Sequence, residues 1–326
     1  MKKIFGHRDL CKTLLGLSGS SRRHHGFIFS GPRGVGKFAV ATEFGKHILK
    51  TGDEKHPDLH VIKKEDSFWS SSVGLQKKKQ TNIPIDLLRE KMIGGSTSDG
   101  KKHEALVFKT PRGGGEKVFI IDEAELLDQV GQNSLLKTLE EPPTNTTVIL
   151  VTCREDFLLP TIHSRCHEYC FGPLTKKEFS SWVETQRGLN PEHVEWLTGL
   201  SGGSPGVFLE ASHSNLFDLY QSIKPCLYHQ KNVVSNTVGL VVDFLNRYTD
   251  GVVEKNKNAS KESANNRGFE LVCRVFGLRV SGLLKGEDVD LGVVLADIVS
   301  DVENQRLGNV STPVLVESLV ARWGAI

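Results

Sequence analysis

Two groups of residues carry the chemistry that this sequence can offer, and the first is a glycine loop. In "GPRGVGKF" (31–38), Gly31, Gly34, Gly36 and Lys37 follow a short apolar run and precede a helix-like stretch. A loop in that setting presents backbone N–H groups to phosphate oxygens, and the helix N-terminus adds favourable potential. The pattern G-x-x-x-x-G-K asks next for Ser or Thr, whose hydroxyl holds the metal that bridges the phosphates. The chain has Phe38 there. Phenylalanine has no oxygen to give, and its ring falls near the metal position. Lys37 and the loop amides are left to hold a phosphate weakly, without efficient hydrolysis.

The second group is an acidic pair. "KVFIID" (117–122) is a continuous apolar run ending in Asp122, and Glu123 follows in "EAE". In a phosphoryl-transfer site the first acid holds the metal or its water, and the second polarises the attacking water. The same residues also suit the start of a helix.

The elements that must position these residues alternate in type over the first half of the chain. "GFIFS" (26–30), "LHVIK" (59–63), "KVFIID" (117–122), "TVILVT" (147–152) and "HEYCF" (167–171) read as strands. Helical spacing fills "KFAVATEFGKHIL" (37–49), "PIDLLREKM" (84–92), "QNSLLKTLEEPP" (132–143) and a turn near "FLLPTIHSR". Such alternation predicts a parallel sheet with crossover helices, an α/β fold. Between 67 and 116, "KKK" (77–79), "GGSTSDGKK" (94–102) and "PRGGG" (111–115) read as surface loops or a small insertion. The lysines offer a contact to DNA, but a solvated loop is the favoured reading. Beyond "FGPLT" the strand signal ends. The expected division is an α/β domain over 1–172, a small helical domain over 173–212 and a larger all-helical domain over 213–326. "TDGVVEKNKNASKESANN" (249–266) reads as a mobile polar connection.

Bulk properties narrow the class. Lys and Arg total 41 against 39 Asp and Glu, a net charge of +2 that selects no partner. No apolar run approaches the roughly 18 residues of a membrane span. The basic start lacks a signal peptide's apolar core, so a cytoplasmic location is expected. Six cysteines without a C-x-x-C pair suit a reducing compartment. His163, Cys166, His167 and Cys170 in "HSRCHEYC" match no common zinc spacing, and strand alternation would send them to opposite faces. No metal site is expected.

"VFIIDEAELLDQVGQNSLLKTLEEPPTNTTVILVT" and "LLPTIHSRC" closely resemble the clamp-loader ATPase family of the AAA+ class. Within that family the chain is most similar to the delta-prime branch of bacterial DNA polymerase III. The opening "IFGHRDLCKTLLGL", "HPDLH" (56–60) and "GGSPG" (202–206) fit the same resemblance, which covers roughly the first 210 residues. The C-terminal third agrees only in length and helical character.

The resemblance implies an AAA+ P-loop domain, a helical lid and a C-terminal helical collar for assembly. It places a trans-acting arginine finger at Arg165 and a sensor residue at Thr152. Gly31, Gly34, Gly36, Lys37, Asp122 and Glu123 then form, with Thr152, a vestigial nucleotide site that holds ATP or ADP weakly. Phe38 and Val207 depart from active relatives, which carry a metal-binding hydroxyl and a γ-phosphate-sensing arginine there. The four-cysteine zinc module of the family is missing, since "LKTGDEKHPDL" contains no cysteine. The implied partners are the loader's ATPase subunits and delta, and through them the sliding clamp and primed DNA, with no membrane. A non-hydrolysing stator is the favoured reading, and an active AAA+ motor subunit the alternative. A P-loop kinase fails on the pairing of "DEAE" with "SRC".

Overall fold

The strands that hold the glycine loop are apolar on both sides because both faces of their sheet are covered. In β1 (Gly26–Ser30), β3 (Lys117–Ile121) and β4 (Thr146–Val151) every residue is buried. β2 (Leu59–Ile62) and β5 (His167–Cys170) lie at the edges. All pairs are parallel, in the order β2-β3-β4-β1-β5. The computed structural model describes residues 4–18, 24–53, 55–77, 79–113, 115–228, 234–306 and 310–326. Lys78 and Gly114, within two of the predicted surface runs, and the basic start of the chain lie outside them.

Alternation along β1 divides the core. Phe27 and Phe29 face α2 (Lys37–Ile48), meeting Val40, Phe44, Val118 and Ile149. Ile28 faces the other layer, with Phe119, Val148, Leu150 and Leu135 of α3 (Gln129–Glu140). Asp128 caps α3 by accepting a hydrogen bond from the Gly131 N–H at 2.6 Å. A single turn, α4 (Pro160–His163), leads into β5. Lys176–Val183 forms α5, whose capping box pairs Thr175 with Glu178.

The stretch read as surface loop is more built than its composition suggests. Leu75, Met92 and Val107 are buried in the core beside Ile121 and Leu135. The buried Lys117 ammonium donates to the carbonyls of Leu106 at 2.7 Å and Val107 at 3.3 Å, tying the insertion to the start of β3. Asp58 accepts the N–H groups of Arg112 and Gly113 at 2.8 and 2.7 Å.

The chain divides into two compact units, Met1–Thr185 with Gly203–Gly206, and Gln186–Gly202 with Val207–Ile326. The predicted small helical domain straddles this division. The second unit is all-helical among its described residues: α6 (Pro191–Ser201), α7 (Pro205–His213, from Val207 onward), α8 (Leu216–Leu227), α9 (Val234–Lys255), α10 (Lys261–Gly282), α11 (Val289–Gln305) and α12 (Thr312–Gly324). Trp196 of α6 packs on Phe217 and Tyr220 of α8. Gly268 lets α10 approach α9, since a Cβ there would meet Leu245 and Tyr248 at 3.0 Å. A buried charge cluster joins three of these helices: Arg267 donates to Glu210 and Glu270, both at 2.7 Å, and Tyr248 donates to Glu210 at 2.6 Å.

The predicted mobile connection over 249–266 is corrected by this unit. α9 continues to Lys255 and α10 begins at Lys261, capped by Ser260. Only residues 256–260 connect the two helices; the other polar residues of the stretch lie on the helices themselves, where Ala264 is buried. No helix among the described residues is long and apolar enough to cross a membrane.

Candidate functional site

The glycine loop leaves the carboxyl end of β1 and bends where only glycine is comfortable. Gly31, Gly34 and Gly36 have φ of 130°, 78° and 105°. A Cβ on Gly31 would lie 2.1 Å from the Phe171 carbonyl oxygen, so the loop's first residue has no room for a side chain.

Every loop carbonyl from 31 to 35 meets a donor from this chain. Lys37 turns its ammonium back onto the carbonyls of Gly31 and Pro32, both at 2.6 Å. Ser204 Oγ donates to Arg33 O at 3.0 Å, and the Gly206 N–H to Gly34 O at 2.9 Å. His7 Nε2 donates to Val35 O at 2.9 Å. Gly206 has to be glycine here, because a Cβ would lie 2.6 Å from the Gly34 Cα. Burial pushes the Lys37 ammonium below its ordinary range, with Cys153, Glu125 and Asp122 opposing.

The acidic pair is equally occupied. The register Ile62↔Ile121 brings the residues after β2 alongside those after β3. Lys63 therefore reaches Asp122 at 3.4 Å, while Lys64 and Arg33 reach Glu123 at 2.7 and 3.1 Å. The Lys63 ammonium also sits 3.6 Å from the centroid of the Phe38 ring, a cation–π contact. Burial pushes the Asp122 carboxyl up, and Lys63 only partly offsets it. For Glu123 burial acts in the same direction, but Lys64 and Arg33 outweigh it and hold the carboxyl below its usual range. Glu123 adopts φ 53°, an uncommon left-handed conformation for a residue with a side chain.

Thr152 follows β4, buried, and its hydroxyl accepts the Arg154 N–H at 3.0 Å. Beside it the Cys153 thiol donates to Glu125 at 2.8 Å, and burial with that carboxylate pushes the thiol up to about 12. Gly31, Gly34, Gly36, Lys37, Asp122, Glu123 and Thr152 thus gather at the carboxyl end of the sheet. A nucleotide-bound magnesium ion, which such a loop implies, does not fit these residues. Position 38 offers a ring with no oxygen to give a metal, and Asp122 is paired with Lys63.

Arg165 stands elsewhere. Its carbonyl lies 3.1 Å from where a Cβ on Gly26 would be, at the amino end of β1. Five residue steps at about 3.3 Å each put about 16 Å between that end and Gly31. The side chain is about one-third exposed and pairs with Glu140 at 2.6 Å. It also donates to Thr161 O at 2.9 Å and to Ser164 Oγ at 3.0 Å.

Lys63, Lys64, Arg33 and Ser204 were not singled out by the sequence. The signal was present for two of them, since adjacent parallel strands ending in "VIKK" and "FIIDE" must bring these ends together.

Residues 6–175, just over half of the chain, match a family profile described as DNA polymerase III, delta subunit. The chain belongs to this family. A relative named DNA polymerase III subunit delta', from Pseudomonas aeruginosa, is 30% identical over 208 residues, 58% of this chain and 56% of its own. The Escherichia coli protein of the same name is 26% identical over 207 residues, 58% and 55% respectively. A DNA polymerase III subunit gamma/tau of Mycobacterium tuberculosis is 28% identical over 209 residues, 62% of this chain and 35% of its own. The chain therefore spans between about a third and just over half of the length of these relatives.

In this family member the "HSRCHEYC" side chains disperse. His163 Nε2 donates to the Glu155 carbonyl oxygen at 3.0 Å and its Nδ1 lies 3.4 Å from a Glu168 carboxylate oxygen, while the His167 ring packs tilted against His24 with centroids 3.5 Å apart. Burial pushes the Cys166 thiol up to about 12. Cys170 lies near Glu155 and Glu168, the one group of three potential ligands among the described residues, and all three are exposed.

Proposed function

We propose that this chain is a stator-like, delta-prime type subunit of a DNA polymerase III clamp loader. It turns over no nucleotide of its own and donates Arg165 to the nucleotide of a neighbouring ATPase subunit. With the ATPase subunits and delta it helps load the sliding clamp onto primed DNA during replication in the cytoplasm. In this reading residues 1–172 are the nucleotide-binding-like domain, 173–212 the lid and 213–326 the collar through which the subunit assembles.

The observation that carries the reading is the separation of Arg165 from the chain's own loop. A guanidinium at the amino end of the sheet cannot reach phosphates at the carboxyl end, yet its one carboxylate partner among the described residues, Glu140, is half-exposed and exchangeable. A phosphate presented by another subunit offers the same two-pronged contact. Arginines supplied in trans are worth roughly 10³–10⁵ in rate in GTPases, and one of several sites in a ring accounts for a smaller share. Arg165→Ala should leave the complex assembled and lower its DNA- and clamp-stimulated ATP turnover. Arg165→Lys should recover little, because an ammonium lacks the planar fork. Full activity of the alanine variant would make Arg165 a surface residue.

The gamma/tau match favours the second reading, an active motor subunit. Steady ATP turnover by the isolated chain, abolished by Lys37→Ala, would decide for it.

A further inference from the structure

We infer that the Lys63 ammonium is a resident cation that takes the place of the divalent metal in the glycine-loop site. In a hydrolysing loop the metal is held between the hydroxyl that follows the loop lysine and the acid that ends another strand of the same sheet. Those two positions here are Phe38 and Asp122. The Lys63 ammonium touches both, 3.6 Å from the ring centroid of one and 3.4 Å from a carboxylate oxygen of the other. The substitution at 38 and the lysine at 63 are therefore complementary. A hydroxyl would hold a metal, whereas an aromatic face has a negative quadrupole that suits an ammonium on a flexible stem.

The neighbours reinforce the exchange. Lys64 and Arg33 take Glu123, the carboxylate that would otherwise orient an attacking water. Three positive groups thus stand around Asp122 and Glu123 and offset the charge those two acids would offer a divalent ion. The tether is short: Lys63 follows β2 directly, and β2 pairs with the strand that ends at Asp122. The ammonium is delivered by the sheet register and needs no ligand to place it. Asp122 thus has a counter-ion from its own chain where a metal would otherwise serve.

This inference concerns the loop described above and rests on the reading that it does not turn over nucleotide. Metal binding can be measured without any turnover, so this inference can fail while the role of Arg165 stands. Manganese binding by electron paramagnetic resonance, on folded chain verified by circular dichroism, separates the possibilities. The unmodified chain should bind no Mn²⁺ in a manner sensitive to Asp122→Asn. Phe38→Ser alone should gain little, because Lys63 still fills the position. Phe38→Ser combined with Lys63→Met should bind Mn²⁺ about tenfold tighter or more than Phe38→Ser alone, with a rise in Tm on adding Mg²⁺. If the methionine double variant does not fold, Phe38→Ser with Lys63→Gln serves the same comparison. The inference is overturned if Phe38→Ser alone binds as tightly as the folded double variant. It is equally overturned if the double variant gains nothing, or if the unmodified chain shows Asp122-dependent Mn²⁺ binding.

Discussion

The two ends of one sheet treat their charged groups in opposite ways. At the carboxyl end, Lys37, Lys63, Lys64 and Arg33 are each turned onto a carbonyl or carboxylate of the same chain. At the amino end, Arg165 has a single carboxylate partner among the described residues, Glu140, itself half-exposed. The first end is internally neutralised, with its loop carbonyls all engaged. The second is cheaply opened, because a solvent-exposed ion pair is worth at most about 1 kcal/mol. The two ends of the sheet thus differ in how firmly this chain itself holds their charged groups.

The contrast is broken most severely through β1 itself, which runs between the two ends. Gly31→Ala should cost about 3–5 kcal/mol or prevent folding, because the new Cβ would fall 2.1 Å from a backbone oxygen at a strained φ. Gly26→Ala, at the Arg165 end, meets the Cys166 sulfur at 2.8 Å and should be milder. Denaturant unfolding of both variants orders them, and a harmless Gly31→Ala would mean that the loop is not held as described.

A smaller effect should appear with pH. Glu123 has its folded pKa depressed, so its contribution to stability is full above the ordinary glutamate value of about 4.3. It is lost as pH falls through the folded pKa. Lys64→Met should flatten that acid limb of the Tm profile, while Glu140→Ala should leave it unchanged. Equal profiles for Lys64→Met and the unmodified chain would remove Lys64 from the site.

The smallest effect is expected at the open end. Glu140→Ala should change stability by less than about 1 kcal/mol and leave the turnover of the assembled loader equal or higher, since it frees Arg165. A large loss of turnover would mean that Glu140 positions the arginine.

The glycine loop and the acidic strand end were legible in the sequence because each lies in one local run with its own spacing, whereas Arg165 was named only through the family resemblance. The cations that neutralise the site were not legible. Lys63 and Lys64 stand about sixty positions from Asp122 and Glu123, and only strand order and register bring them together. Ser204 and Gly206 act on the loop from still farther away, through a hydrogen bond and a close backbone approach. The helices over 249–266 were hidden for a different reason. Their exposed faces are rich in Lys, Asn and Glu, and the apolar contacts that fix them, such as Ala264 and the close approach at Gly268, are few.

The most direct test of the account sets Lys37→Ala beside Arg165→Ala in the same reconstituted loader, with DNA- and clamp-stimulated ATP turnover measured after assembly is verified. The account predicts turnover near the unmodified rate for Lys37→Ala and a loss of about tenfold or more for Arg165→Ala. The opposite pattern, with Lys37→Ala impaired and Arg165→Ala unaffected, would contradict it.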